Sequence, residues 1–325
     1  MPTMKFFQRL GDDLRSFDLV HLHSLWNPAI SLAAWACRRA GVPYLVSPMG
    51  MLQCAALKRR AMRKSVYYWL FERHTLSGAR ALHFFTEAEA RDSGTLMEGR
   101  AFPIVIPNGI DPSLRTNVAT GRFRHAHPNF IGKKILLFSG RLHPSKGLEL
   151  QLHALAVLVK QFPQVMWVLV GPDQGMWARL RHEACSLGLE SYVFRTGLLP
   201  HEQCLEALAD ADVLLLTSHH EAHSMAMNEA LCLGVPIVMT DTLHFKEVQE
   251  AGAGYVVPWD PGSLAAAVAD ILQHHDRAVS MRQAGLRLVT DRLAWPKVAD
   301  AMVRAYEHIL AASGRMQAAR TSSCR

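Results

Sequence analysis

The sequence is short of charge and of long apolar runs, and each shortage excludes a class of protein. Aspartate, glutamate, lysine and arginine make up only 19% of it while 50% is apolar, which rules out a disordered chain and a long coiled coil. Its apolar stretches, such as Val213–Leu216, fall far short of the ~20 residues that a membrane-spanning helix needs. The opening residues, MPTMKFFQRLGDDL, carry acids where a secretory leader needs an apolar centre, so no export is expected. Cysteine is sparse and scattered, at positions 37, 54, 185, 204, 232 and 324, with no CxxC pair. That spacing suits thiols kept reduced in a cytoplasm and excludes a disulfide framework or a zinc knuckle.

Several chemical signatures are missing too. No GxGxxG follows an expected strand, which weakens a nicotinamide or flavin reading, and no GxSxG elbow is present. The segment GRLHPSKG at 140–147 is not a Walker A loop. Ser145 stands where a glycine would precede the lysine, and no Ser or Thr follows Lys146, so a kinase or ATPase reading fails. His219, His220 and His223 surround Glu221, but His220 and His223 are three apart rather than the four of HExxH and fall in an expected loop. No metal and no other cofactor is expected.

Thirty-five basic residues against 28 acidic give a net charge of +7, but the excess is local. Lys58, Arg59, Arg60, Arg63 and Lys64 crowd into one run, and Arg315, Arg320 and Arg325 lie in an acid-free tail expected to be disordered. The remainder is near neutral, so no footprint for nucleic acid is left. The basic run leads into Tyr67, Tyr68, Trp69 and Phe71. Cations with interfacial aromatics suit docking on anionic lipid, although such a run is more often a solvated face with its aromatics in the core.

A length of 325 residues suggests two domains. Short β-branched or Leu-rich runs alternate with amphipathic stretches, the mark of βαβ units and parallel sheets. In the second half, strands are predicted at 135–139, 166–170, 192–195, 213–217, 236–240 and 254–257. Helices are predicted at 148–161, 177–187, 203–209, 225–233, 264–274 and 295–311. The first half is thinner: strands at 19–23, 44–46, 81–84 and 104–106, and helices near 30–39, 57–71 and 87–94. Residues 107–132, polar and interrupted by Pro and Gly, read as a connection.

Two segments could carry chemistry. SHHEAHSMAMNEAL at 218–231 follows an expected strand and opens a helix, which places it at the carboxyl edge of a sheet, where open α/β folds bind ligands. The free N–H groups near Ser224, Met225 and Ala226 would face an anion such as a diphosphate, with Glu221 in the loop and Glu229 about two turns along the helix. Two acids alone, however, are more often an N-cap glutamate and a solvated helix position. In the second segment, after Gly140, Arg141 offers a planar fork of donors and Lys146 a compact cation, a natural pair for phosphate oxygens. Alone, it is more often a solvated turn. His21 and His23 alternate on a strand and so share one face; if that face is the core, they read as hydrogen-bonded structural histidines.

The order of these pieces resembles the retaining glycosyltransferases of family four. The resemblance runs through DLVHLHSLW (18–26), VSPMGML (46–52), VIPNGID (105–111), SGRLHPSKGLELQL (139–152), LVGPDQG (169–175) and EAHSMAMNEALCLGVPIVMTD (221–241). It implies an α/β chain of the GT-B type with two facing Rossmann-like domains. These would be an acceptor-side domain over 1–120, a nucleotide-sugar-binding domain over 121–295, a closing helix over 296–312 and the basic tail 313–325. It implies that Arg141 and Lys146 neutralise the departing diphosphate, Glu221 holds the sugar hydroxyls and Glu229 the ribose. Gly140, Ser224, Met225 and Ala226 would complete the donor site.

The chain departs from the family pattern in three places. His223 and Ser224 stand where the family usually has an aromatic and a glycine. Met49, before Gly50, replaces a histidine near the donor sugar, a role that His23 could fill. The segment matching DLVHLH begins at residue 18, so the N-terminal domain is expected to be truncated, without the usual first strand and Gly-rich loop. The expectation is therefore a cytoplasmic glycosyltransferase, at the inner face of a membrane if the basic run binds lipid. It would move a sugar from a nucleotide donor to a glycan or lipid-linked acceptor. The alternatives are a non-catalytic nucleotide-sugar-binding subunit or an inactive truncated homologue that needs a partner and, within the fold, a nucleotide-sugar epimerase or a glycogen-type enzyme.

Overall fold

A computed structural model describes residues 13–53, 56–57, 61–94, 101–219 and 221–313. The chain divides into two compact units, Met1–Asn108 with Val298–Arg325, and Gly109–Lys297. Among the described residues no helix is long and apolar enough to cross a membrane, and Cys37, Cys185, Cys204 and Cys232 are free thiols. His220, Cys54, Lys58, Arg59, Arg60 and the expected tail from residue 314 onward lie outside the described residues.

In the first unit, β1 (Val20–His23), β2 (Tyr44–Ser47), β3 (Ala81–Phe84) and β4 (Phe102–Val105) form a parallel sheet in chain order. β2 and β3 are buried on both faces, which is why each reads as an unbroken run rather than an alternation. β4 begins two residues earlier than expected and carries Pro103, which an edge strand tolerates. Helix α1 (Pro28–Ala40) starts where Asn27 Oδ1 accepts from the Ala29 amide at 3.0 Å, and stops at Gly41, whose φ of 69° is left-handed. The single helix expected at 57–71 is instead α2 (Ala61–Tyr67), a π-helical turn (Tyr68–Glu72) and α3 (Arg73–Gly78). Helix α4 (Glu87–Ser93) is capped by Thr86, whose hydroxyl accepts from the Glu89 amide at 3.0 Å.

In the second unit six parallel strands are β5 (Lys134–Ser139), β6 (Val165–Val170), β7 (Val193–Gly197), β8 (Val213–Leu216), β9 (Ile237–Thr240) and β10 (Gly254–Val257). Their order is β10-β9-β8-β5-β6-β7. The chain builds outward from β5 to β7, returns to place β8 on the other side of β5, and builds outward again. Both sheet faces are covered, so alternate residues of one strand enter different cores. Leu137, Val168 and Leu214 pack with α7 (His201–Ala209), α8 (Met225–Leu233) and α10 (His275–Leu288). Leu136, Trp167 and Leu215 pack with α5 (Leu148–Leu158), α6 (Trp177–Ser186) and α9 (Pro261–Gln273). Helix α10 was not anticipated, because it follows α9 with only His274 between them. The last helix, α11 (Trp295–Ala312), enters the first unit at Val298 and buries Ile309 against Leu45 and Ala81.

The expected connection at 107–132 is not a linker. From Gly109 onward it belongs to the second unit, with Phe123 and Phe130 in the core. The buried Asp210 holds it, accepting from the amides of Gly121 and, at 2.9 Å, Arg124. The Arg124 guanidinium donates to the carbonyls of Phe130, Lys133 and Asp210 and to Asp212 Oδ2, which also accepts from the Ile135 amide. Its polar residues are thus internal cross-links. Replacing Asp210 with alanine strands two amide donors beside a guanidinium, and is expected to cost about 2–4 kcal/mol, read as a lower urea midpoint. An unchanged midpoint would refute this role.

Candidate functional site

All six strands of the second unit point the same way, so the loops after them emerge at one edge. The strand order reverses between β5 and β8, where the adjacent connections run to opposite sides and leave a crevice. The two motifs singled out in the sequence are the loops flanking that crevice. Lys146 ends a short 3-10 turn (Pro144–Lys146) after β5, and Glu221 lies in the loop after β8. Lys146 Nζ donates to Glu221 Oε1 at 3.0 Å, with both side chains largely buried, and the Ser218 hydroxyl donates to Glu221 Oε2, also at 3.0 Å.

Residues that the sequence reading missed hold this pair in place. The buried Thr217 hydroxyl donates to the carbonyls of Lys146 and Gly147 at 2.9 and 3.0 Å. It accepts from Gln151 Nε2 at 2.8 Å, and Gln151 Oε1 in turn accepts from Trp167 Nε1 at 2.9 Å. The His219 amide donates to the Ser145 carbonyl at 2.9 Å, and the His219 ring stacks on Trp259. Gly147 has a φ of 61°, and a Cβ there would sit 2.2 Å from the Thr217 carbonyl oxygen, so only glycine permits this approach. A threonine at a strand end carries no such signal by itself; its three partners meet only in the fold.

Arg141 and Lys146 leave the same loop toward different neighbours. Arg141 is exposed and donates to Gln174 Oε1 at 3.3 Å, in the loop after β6. Beneath it Gly140 and Gly171 pass so closely that a Cβ on Gly171 would lie 2.0 Å from the Gly140 carbonyl oxygen. Helix α8 begins as expected: Ser224 is its cap, its hydroxyl accepting from the Met227 amide at 3.4 Å, and Met225 and Ala226 form the first turn. Glu229 is mostly buried further along α8, 3.9 Å from His201 Nε2, and burial holds its carboxyl above the usual range. His223 is no ligand in waiting. Its Nε2–H donates to Asn228 Oδ1 at 3.0 Å, its ring meets the face of Phe245, and burial lowers its pKa to about 4.

In the first unit the loops after β1 and β2 carry backbone strain. Ser24, Trp26 and Met49 all have positive φ without being glycine, and such residues gather at functional sites. His23 is exposed at the end of β1, and Met49 is exposed in the loop after β2. Glu89 is fully buried and accepts from the amides of Gly50 at 2.5 Å and Phe85 at 2.8 Å, joining the loops after β2 and β3. His21 does share a face with His23, the rings stacking at 4.1 Å, and it belongs to a hydrogen-bond chain crossing the sheet. The Ile106 carbonyl can only accept, so His83 Nε2 carries a proton and His83 Nδ1 accepts from the Ser47 hydroxyl. Ser47 then accepts from His21 Nε2–H, and His21 Nδ1 accepts from Tyr306 on α11. His21 and His83, each donating from one ring nitrogen and accepting at the other, are both neutral in this array.

Residues 121–287 match the family model for glycosyl transferases group 1, and residues 3–109 match that for a glycosyl transferase 4-like domain. The chain is similar to the phosphatidyl-myo-inositol mannosyltransferase of Mycobacterium tuberculosis, 30% identical over 226 residues, 66% of this chain and 57% of that protein. The match thus spans a little over half of that relative's length. The D-inositol 3-phosphate glycosyltransferase of Acidothermus cellulolyticus is 25% identical over 308 residues, 91% of this chain and 68% of that protein. Among solved structures, Anabaena Alr3699/HepE in complex with UDP and glucose superposes with a TM-score of 0.76 at 20% identity, covering 93% of this chain and 81% of that one. At that identity the likeness establishes the fold, that of GT-B glycosyltransferases with two parallel α/β domains.

Burial, with help from His23 and His83, drives the His21 pKa down to about 3. Between about pH 6.5 and 3 the unfolded chain therefore binds a proton there that the native chain does not, and stability falls as pH drops through that window. Glu72 has the opposite sign: burial raises its pKa to about 7, so its contribution falls as pH rises from about 4.5 to 7. A His21→Asn variant isolates the histidine. At pH 7.5 it is expected to melt below the native chain, with the gap in Tm narrowing toward pH 5; a constant gap would exclude this titration.

Proposed function

The chain belongs to the glycosyl transferases group 1 family, and from that premise we propose that it moves a sugar from a nucleoside diphosphate to a glycan or lipid-linked acceptor. In this reading the anomeric configuration is retained, and the product belongs to a cell-surface polysaccharide or a lipid-linked glycan. The observation that carries it is the largely buried Lys146–Glu221 pair at the point where the strand order reverses, beside the start of α8. The difficult step is departure of the diphosphate, so positive charge and oriented N–H groups belong at that leaving group.

An ammonium has three N–H donors, so Lys146 can hold Glu221 with one and phosphate oxygens with the others. Arg141, exposed on the same loop, supplies a planar fork to the same phosphates, and Gly140 lets the backbone approach. The amides of Met225 and Ala226 add the partial positive charge of a helix start, kept open by the Ser224 cap. Glu221, oriented by Ser218, receives hydroxyls of the donor sugar, and Glu229 those of the ribose. Acceptor chemistry falls to the first unit, where the strained loops present His23, Met49 and Gly50. Retention needs no side-chain nucleophile if the acceptor attacks on the face the diphosphate leaves and a phosphate oxygen takes its proton.

Lys146→Ala and Glu229→Ala are each expected to weaken binding of a nucleoside diphosphate by roughly 10- to 100-fold in calorimetry, the range of one charge-assisted hydrogen bond. Undiminished affinity in both would overturn the donor assignment. In a panel of nucleotide sugars and acceptors, proton NMR should show the product with the donor's anomeric configuration. Tight donor binding with no transfer would favour the non-catalytic subunit instead.

A further inference from the structure

From Leu19 to Thr86 the sequence carries nine lysines and arginines and one acid, Glu72, which is completely buried. The surface that the described residues of that segment present is therefore built from cations and no exposed acid of the segment. It is also greasy. Helix α1 and the α2–π–α3 segment enclose an open groove of about 480 Å³, lined by Leu32 and Trp35 on one side and Tyr67, Leu70 and Phe71 on the other. Leu70 is 60% exposed, and the neighbouring Met62, Val66 and Trp69, recurring at helical spacing, are 83%, 58% and 62% exposed. Contiguous exposed apolar surface of this kind marks an interaction site rather than ordinary surface scatter.

The cations and the apolar groups are interleaved. The Arg39 guanidinium lies 5.0 Å above the Trp35 ring, and that of Arg73 lies 5.1 Å above Trp69. Arg63 stands next to Met62, and Lys64 lies over Trp26 at 5.3 Å. A phosphate backbone would use the cations but would leave Met62, Val66 and Leu70 in water. A bilayer surface uses both, with indoles and alkyl groups at the acyl boundary and guanidinium groups among the lipid phosphates. We propose that the outer face of α1 and residues 61–78 docks on an anionic phospholipid bilayer. Arg63 and Lys64, the described end of the basic run, thus border a larger surface that includes α1. This surface lies in the first unit, and its occupancy can be measured with neither donor nor acceptor present, so a negative result leaves the donor-site reading intact.

The full chain is tested by co-sedimentation with vesicles of phosphatidylcholine, with and without phosphatidylglycerol. Binding is expected only on the anionic vesicles, weakening with salt. Replacing Arg39, Arg63 and Arg73 with glutamine should lower the partition coefficient about fivefold per charge. Trp35→Ser with Leu70→Ser should reduce it at least tenfold at unchanged Tm, since both side chains are exposed. In the unaltered chain, brominated lipid should quench tryptophan fluorescence on the anionic vesicles. Equal partitioning on both vesicle types, or variants that bind as well as the native chain, would overturn the proposal. So would a dimer in sedimentation velocity that the same variants abolish, which would make a second copy the occupant.

Discussion

Parallel strands share a polarity, and the placement of chemistry in the second unit depends on that constraint. With six strands aligned, every loop that follows a strand emerges at the same edge, and a ligand can be met from several loops at once. The reversal of strand order between β5 and β8 opens that edge at one place. A buried hydroxyl then closes the gap to atomic distance: Thr217, at the end of β8, bonds the carbonyls of Lys146 and Gly147 and so sets the ammonium against Glu221. Gly147 is the matching requirement, because any side chain there would push the two loops apart. An ion pair held this way is poised rather than merely stable, since an isolated buried pair gains little net energy from being formed.

The first unit uses buried polar groups differently. Glu89 ties two loops at the carboxyl edge through backbone amides, while the chain from Tyr306 through His21, Ser47 and His83 to Ile106 spans the sheet. That chain has one direction, dictated by the terminal carbonyl, and tolerates no extra proton. Buried carboxylates and buried imidazoles in one small unit respond to pH with opposite sign, which leaves the unit a stability optimum rather than a slope. The same sheet supports the strained loops of Ser24, Trp26 and Met49, whose left-handed backbones need surroundings as firmly determined as these.

Charge is distributed as unevenly as chemistry. In the second unit, acids and bases are cross-linked, as in the Arg124, Asp210 and Asp212 cluster that converts an apparent linker into core. In the first, cations accumulate between Leu19 and Thr86, a segment whose one acid, Glu72, is hidden. A net charge of +7 is consistent with either pattern; only position tells them apart.

Local pattern alone determined the alternation of strands and helices, because period-two runs bounded by turns and period-3.6 stretches are properties of contiguous residues. Helix α8 and strand β10 fall where the pattern puts them, and Ser224 caps α8 because its side chain reaches an amide three residues on. The residues proposed for the donor were also legible, since Gly140–Gly147 and 218–231 are continuous segments. What the fold alone decided are meetings between segments far apart in the chain. Thr217 with Gln151, Asp210 with Gly121, and His21 with Tyr306 lie from 66 to 285 positions apart. A hydrogen bond requires atoms within about 3 Å, and no periodicity within a segment encodes which distant partner will arrive there.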